Sequence, residues 1–199
     1  DKIYSHKVRA VIRELSTNAY DAHVAAGQDS PFDVHLPTSL EPWFSVKDYG
    51  TGLSHQDCME VYTTYFMSTK TSSNDFVGAL GLGSKSPFCI SDSFTVISIY
   101  NGVERTYSAY KDEYDQPQFA LLTKQETEEP NGVEVQVPVS EERRWEFAPE
   151  AIKIYQYFDN VNLNDDNIQE EINQIKSDRV IENEHFIYSL SYGHAKALM

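Results

Sequence analysis

Positive charge is scarce in this chain. Sixteen Lys and Arg stand against 31 Asp and Glu, for a net charge of -15. Neutralising the phosphates of a nucleic acid takes an excess of Lys and Arg, which argues against general nucleic-acid binding. HKVRAVIR, near the start, is a local basic candidate. Cysteine is nearly absent: Cys58 and Cys89 cannot build a disulfide framework and suit a reducing compartment. The six His follow no H-x-x-x-H spacing and the cysteines no C-x-x-C, so a structural zinc site is not expected. No apolar run approaches the ~20 residues that cross a membrane. No apolar, signal-like segment opens the chain. It begins at Asp1 rather than Met and reads as a piece of a longer protein, so groups needed for function can lie beyond it.

What is present is globular. The residues are 40% hydrophobic and 13% aromatic, too apolar for a disordered chain. KIYSHKVRAVIRELSTNAYDAHVAA carries Ile3, Val8, Val11, Ile12, Leu15, Ala19 and Ala22 at helical spacing, with Gly27 as its stop. FDVHL and WFSVKD alternate as strands across a proline-bounded turn. Ser54 and Asp57 form a capping box for a second helix, HQDCMEVYTTYF. Residues 67–83 are polar and glycine-rich, long for a connector and of the kind that forms lids. Ser84 is the expected N-cap of a helix over SKSPFCIS. Four strands follow, SFTVISIY, RTYSAY, QFALLTK and VEVQVPV, with turns expected at Asn101-Gly102 and Asn131-Gly132. AIKIYQYF and NIQEEINQIK are helical again, and HFIYSLSY is strand-like. The pattern is α+β, a helix layer against a mixed, mostly antiparallel sheet.

Three groups of residues carry chemistry. Glu14, Asn18 and Asp21 stand at i, i+4 and i+7, within about 60° of one helix face. Alone this is a solvated stripe, yet Asn is a poor helix former with no local reason to sit there. An acid can take a proton from water and an amide oxygen is a hard ligand for magnesium. Next, Asp48-Tyr-Gly50-Thr-Gly52 closes a strand. It reads either as an ordinary turn or as a carboxylate that accepts from an exocyclic amine, with glycines admitting a ring. Last, Gly78, Gly81 and Gly83 precede Ser84 and Lys85. The spacing misses G-x-x-x-x-G-K-[ST], because Ser84 falls where the lysine belongs. The cluster is then a hinge, or an approach to a helix start that binds phosphate through backbone N–H groups.

Taken in order, E-x-x-x-N-x-x-D-A, D-x-G-x-G and G-x-x-G-x-G resemble the GHKL ATPase superfamily of Hsp90, DNA gyrase B, MutL and histidine kinases, over roughly residues 3–138. The resemblance implies a Bergerat-type two-layer α/β sandwich that binds ATP and Mg2+. It implies Glu14 as general base, Asn18 on magnesium, Asp21 beside it on the nucleotide face, and Asp48 on the adenine amino group with Gly50 and Gly52 around the base. It makes 67–83 a lid whose Ser68, Thr69 and Lys70 move on binding. Gly81, Gly83, Ser84 and Lys85 would then contact phosphate. Val133 stands where the family often has a threonine that hydrogen-bonds near the adenine. Glu14 favours a hydrolase over a kinase. The ATP-binding domain is placed at 1–145, starting past the family's N-terminal strand. Residues 146–199 would be a helical extension and the start of a following segment.

VRAVIRELSTNAYDAH, FVGALGLGSKSPF and NGVEVQVPV are further similar to the rIIA-type rapid-lysis family of T-even phages. That likeness implies a protein of the infected bacterial cytoplasm, tied to lysis inhibition and host exclusion. Lid closure in the superfamily commonly drives dimerisation, so a homodimer and an unidentified host or phage protein are the expected partners, with no membrane span. Alternatives are a nucleotide-sensing module without useful turnover, and a structural protein that binds host factors through its acidic face. Among bland readings, Trp43 and Phe44 are core and strand edge, Cys58 is packing, and TEEP is a solvated turn. His23 is a candidate phosphate contact and 157–166 a candidate cation loop.

Overall fold

The computed structural model describes residues 5–67, 83–182, 186–189 and 195–197, and the side chains of 7–63 and 86–178. The elements run in order α1 (Ser5–Ala26), β1 (Phe32–His35), β2 (Trp43–Lys47), α2 (His55–Met67), a 3-10 helix (Gly83–Cys89), β3 (Ser93–Tyr100), β4 (Val103–Lys111), β5 (Pro117–Glu126) and β6 (Gly132–Pro138). Then come α3 (Glu141–Arg144), α4 (Phe147–Tyr155), β7 (Val161–Leu163), α5 (Asp166–Ser177), β8 (Arg179–Glu182), β9 (Phe186–Ser189) and β10 (Ala195–Ala197).

Seven strands form one sheet in the order β5-β4-β3-β6-β2-β1-β7. Every neighbouring pair is antiparallel except β1 with β7, which is parallel. Alternation along the strands sends Phe32, Val34, Phe44, Val46, Phe94, Val96, Tyr107, Ala109 and Val137 into one buried cluster. α1 brings Val8, Val11, Ile12, Leu15 and Ala19 to it, each at most 4% exposed. A fully buried Val, Leu or Ile contributes about 2 kcal/mol, so this stripe docks the helix firmly. The sheet is mixed and mostly antiparallel with the helices against it, as the strand and helix periods predict. β8, β9 and β10 pair separately as a three-stranded antiparallel sheet, of which only β9 falls on a predicted strand.

The local signals act as expected in several places. Ser54 Oγ accepts from the Asp57 N–H at 3.1 Å while the Asp57 carboxylate accepts from the Ser54 N–H at 3.2 Å, a reciprocal capping box. Asn101 and Gly102 both take positive φ, 51° and 72°, as a tight two-residue hairpin demands. Phe44 is buried and Trp43 stacks on His35. Cys58 is fully buried, as a packing residue should be. α2 is held to β4 and β5 by a ladder of parallel rings, His55 on Tyr107, Tyr107 on Phe119 and Phe119 on Tyr62.

Other expectations need correction. Gly132 does not turn the chain. It opens β6, buried, where a Cβ would stand 2.1 Å from the Asp48 carbonyl oxygen. The start at Ser84 is a 3-10 helix from Gly83, not an α-helix. Segment 157–166 is not a cation loop. It contains β7, Asn164 bridges the Leu36 N–H and carbonyl at 2.7 and 3.1 Å, and the Asp165 side chain caps α5. The basic stretch HKVRAVIR is engaged internally, with Arg9 paired to Glu150 and Arg13 to Glu14. The core also crosses residue 145: Phe147, Ala151, Tyr155, Leu163 and Ile172 belong to it. Buried Tyr155 shares a 2.8 Å hydrogen bond with Ser16 of α1.

Candidate functional site

A cavity of about 320 Å3 opens between α1, α2 and the sheet. Leu15, Asn18, Ala19, Asp21 and Ala22 form its helix wall. Val46, Phe94, Val133 and Val135 form its floor, with Val61 and Tyr62 from α2. Asp48, Thr51, Gly52 and Leu53 close one end. Most of that lining is apolar, and the few polar groups sit at defined points, the usual makeup of a small-ligand site.

Asp48 is built in from every side. It is 7% exposed. Its N–H donates to the Val133 carbonyl at 2.9 Å, and its Oδ1 accepts from the N–H groups of Gly50 at 2.9 Å and Val133 at 3.3 Å. Oδ2 takes no hydrogen bond from the described residues. Burial pushes the carboxyl pKa up, and the two backbone N–H groups hold back part of that rise. A buried carboxylate with one satisfied and one open oxygen is an acceptor waiting for a donor.

The loop that carries Asp48 is anchored to three elements. Val133 of β6 holds Asp48 as described. Tyr49 N–H donates to His23 Nε2 at 2.8 Å, and Gly50 lies on α1, where a Cβ would come within 2.9 Å of the Ala22 carbonyl oxygen. Gly52 takes φ +68° with a Cβ position 2.0 Å from the Ile99 carbonyl oxygen, so no other residue fits there. Leu53 is tied to buried Ser98 of β3 through both its N–H, at 3.0 Å, and its carbonyl, at 2.8 Å. The Tyr49 phenol, on the other face of the sheet, bonds to Asp33; burial and that bond push its pKa up to about 12.

The structure thus brings Asn18, Asp21, Asp48 and Gly52 to one cavity. Gly50 instead supports the loop from behind. Glu14 stands one turn before Asn18 but outside the cavity lining. Its side chain is 28% exposed, and Oε1 accepts from Arg13 Nη2 at 3.0 Å. Lys70 and Gly81, with Ser68 and Thr69, lie outside the described residues. Gly83, Ser84 and Lys85 open the 3-10 helix, which packs against α1. His23 is no phosphate contact: Nδ1 reaches the Ser30 carbonyl at 3.0 Å and Nε2 the Tyr49 N–H, so both ring nitrogens are used.

Ser98 was missed by motif reading. Its signal was a lone hydroxyl at an inward position of the otherwise apolar Phe94, Val96 alternation. Tyr62 and Phe94, at the cavity's deep end, carried no signal beyond core periodicity.

Among the described residues no group of three or more His, Cys, Asp or Glu could hold a metal ion. A magnesium ion carried on substrate phosphates needs only one or two protein oxygens. Asn18, at the exposed end of the cavity, fits that lesser demand. No helix among the described residues is long and apolar enough to cross a membrane.

A family model described as Histidine kinase-, DNA gyrase B-, and HSP90-like ATPase matches residues 4–142. A search of curated proteins found no match.

Proposed function

The chain belongs to the histidine kinase-, DNA gyrase B- and HSP90-like ATPase family, and from that premise we propose that it is a slow, Mg-dependent ATP hydrolase whose closure gates association with a partner. ATP binding follows from the family. The observation that carries the assignment within the cavity is Asp48, a buried carboxylate that lines a largely apolar cavity and whose Oδ2 takes no hydrogen bond from the described residues. An exocyclic amine donating to Oδ2 would satisfy it, with Leu53, Val133 and Val135 against the ring. The triphosphate would then run toward Asn18 and Asp21, and the family resemblance would add Gly83, Ser84 and Lys85 as phosphate contacts, with Gly81 and Lys70 from outside the described residues.

Asn18 would hold the magnesium ion, which offsets charge on the phosphate oxygens. Glu14 would take the proton of the attacking water as it bonds to the γ-phosphorus. The bond from that phosphorus to the bridging oxygen breaks and ADP leaves with the electron pair. The Glu14 carboxylate must first leave Arg13. An exposed ion pair of this kind holds only about 0–1 kcal/mol, so freeing the base costs little.

Two observations favour a second reading, a nucleotide sensor without useful hydrolysis: the Arg13–Glu14 pair, and Val133 where a hydroxyl would assist binding. Calorimetry with a non-hydrolysable ATP analogue and Mg2+, beside phosphate release from ATP, separates them. Binding with release supports the hydrolase. Binding without release supports the sensor, and no binding removes both. Sedimentation with and without the analogue tests nucleotide-gated dimerisation. The likeness to rapid-lysis proteins supports a role in lysis inhibition or host exclusion inside an infected bacterium. Unchanged lysis timing in a phage carrying an Asp48 replacement would remove it.

A further inference from the structure

We propose that His23 is a positioning residue: it latches the base-reading loop to the catalytic helix and so sets where Asp48 presents its open oxygen. The proposal rests on the reading of the cavity as an ATP site. His23 lies on α1, two residues past Asp21, and is 5% exposed. The Tyr49 N–H is a donor, so Nε2 at 2.8 Å must be its acceptor. The Ser30 carbonyl is an acceptor, so Nδ1 at 3.0 Å must carry the proton. One tautomer meets both demands, and the second bond fixes it. Phe32 packs edge-on against the ring, 6.1 Å between centroids, and leaves little freedom to turn.

The latch acts where it matters. Tyr49 follows Asp48 directly, and beside it Gly50 rests on Ala22, the residue before His23. Two consecutive loop residues thus sit on two consecutive helix residues. Contact at Gly50 fixes how close the loop can come, and the hydrogen bond at Tyr49 keeps it from lifting away. The residue that reads the base and the helix that bears Glu14, Asn18 and Asp21 become one rigid piece, and a carboxylate displaced by an ångström loses most of its donor contact. A lone His after an Asp-Ala pair gives no hint of this in sequence, because the partners are backbone groups at 30 and 49.

The test uses the intact chain and two ligands that differ at the purine 6-position and the adjoining N1: ATP, with an amine and a bare N1, and inosine triphosphate, with a carbonyl and an N1–H. His23→Gln places an amide oxygen where Nε2 stands. His23→Asn reaches only the Nδ1 position, and His23→Phe keeps the ring alone. We expect Asn and Phe to weaken ATP binding about ten-fold, the scale of one lost hydrogen bond, while inosine triphosphate changes less than about two-fold. Gln should restore ATP to within about three-fold of the parent. ATP binding by His23→Asn at parental affinity would overturn the latch, and so would a parallel loss of both ligands. Should the variants not fold, imidazole 15N spectra of the parent decide: Nδ1 protonated and Nε2 bare supports the latch, the reverse overturns it. If the parent binds neither nucleotide, the ATP reading fails while the tautomer still tests the latch.

Discussion

The two ends of the cavity are built on different principles. At one end, residues 48–53 are tied to β6, α1 and β3 through backbone groups, a buried histidine and a buried serine. At the other end Asn18 and Asp21 are exposed on one helix face, and among the described residues Glu14 is paired only with its neighbour Arg13. The first is fixed before any ligand arrives. The second is left adjustable. Recognition benefits from a fixed acceptor, because a preorganised group gives up no ordering entropy when it binds. Phosphate chemistry tolerates groups that move into place, and the hydrolysis proposed above asks this of Glu14.

That contrast can be broken deliberately. Gly52→Ala should do most damage, since a Cβ there meets the Ile99 carbonyl oxygen at 2.0 Å in a left-handed backbone. We expect a loss of about 3–5 kcal/mol, seen as a lower chemical-denaturation midpoint, together with loss of ATP binding. An unchanged midpoint would mean that the fixed end is softer than its geometry says. Glu14→Ala probes the adjustable end. Phosphate release should fall about 100-fold or more while affinity for the ATP analogue stays within about two-fold. A comparable loss of affinity would place Glu14 in binding instead.

Asp48→Asn is subtler. Its amide oxygen can still accept from Gly50 and Val133, but an NH2 replaces the open oxygen and faces the base amine. ATP affinity should drop about 100-fold, the cost of opposing two donors, with little change in stability by calorimetric melting. The mildest change sharpens the comparison: Val133→Thr adds a hydroxyl beside Asp48 at nearly constant volume. A three- to ten-fold gain in ATP affinity is expected by titration, from about one hydrogen bond. No gain would show that Asp48 alone reads the base.

How far the chain could be read depended on where each residue's partners lie. α1 was legible because its apolar residues recur at the helical period, and the Ser54–Asp57 cap because both members lie within one turn. The place of Asp48 at the cavity was legible because D-x-G-x-G closes a strand with a carboxylate and two glycines in a tight turn. Glycines were ambiguous for the opposite reason. Gly50 and Gly132 yield space to Ala22 and Asp48, residues distant in sequence, and so looked like a ring contact and a turn. β7 has three residues and borrows its stability from β1, leaving almost no periodicity to read. His23 and Ser98 do their work on backbone groups, which have no letter of their own.

The family match ends at residue 142, but Tyr155 still meets Ser16 inside the protein, Arg9 still meets Glu150, and β7 still lies against β1. Homology and folding therefore have different boundaries in this chain. A gene trimmed to the stretch that the family model matches would leave a serine hydroxyl, an arginine and one sheet margin without counterparts. The shortest version worth expressing runs at least through Ser177.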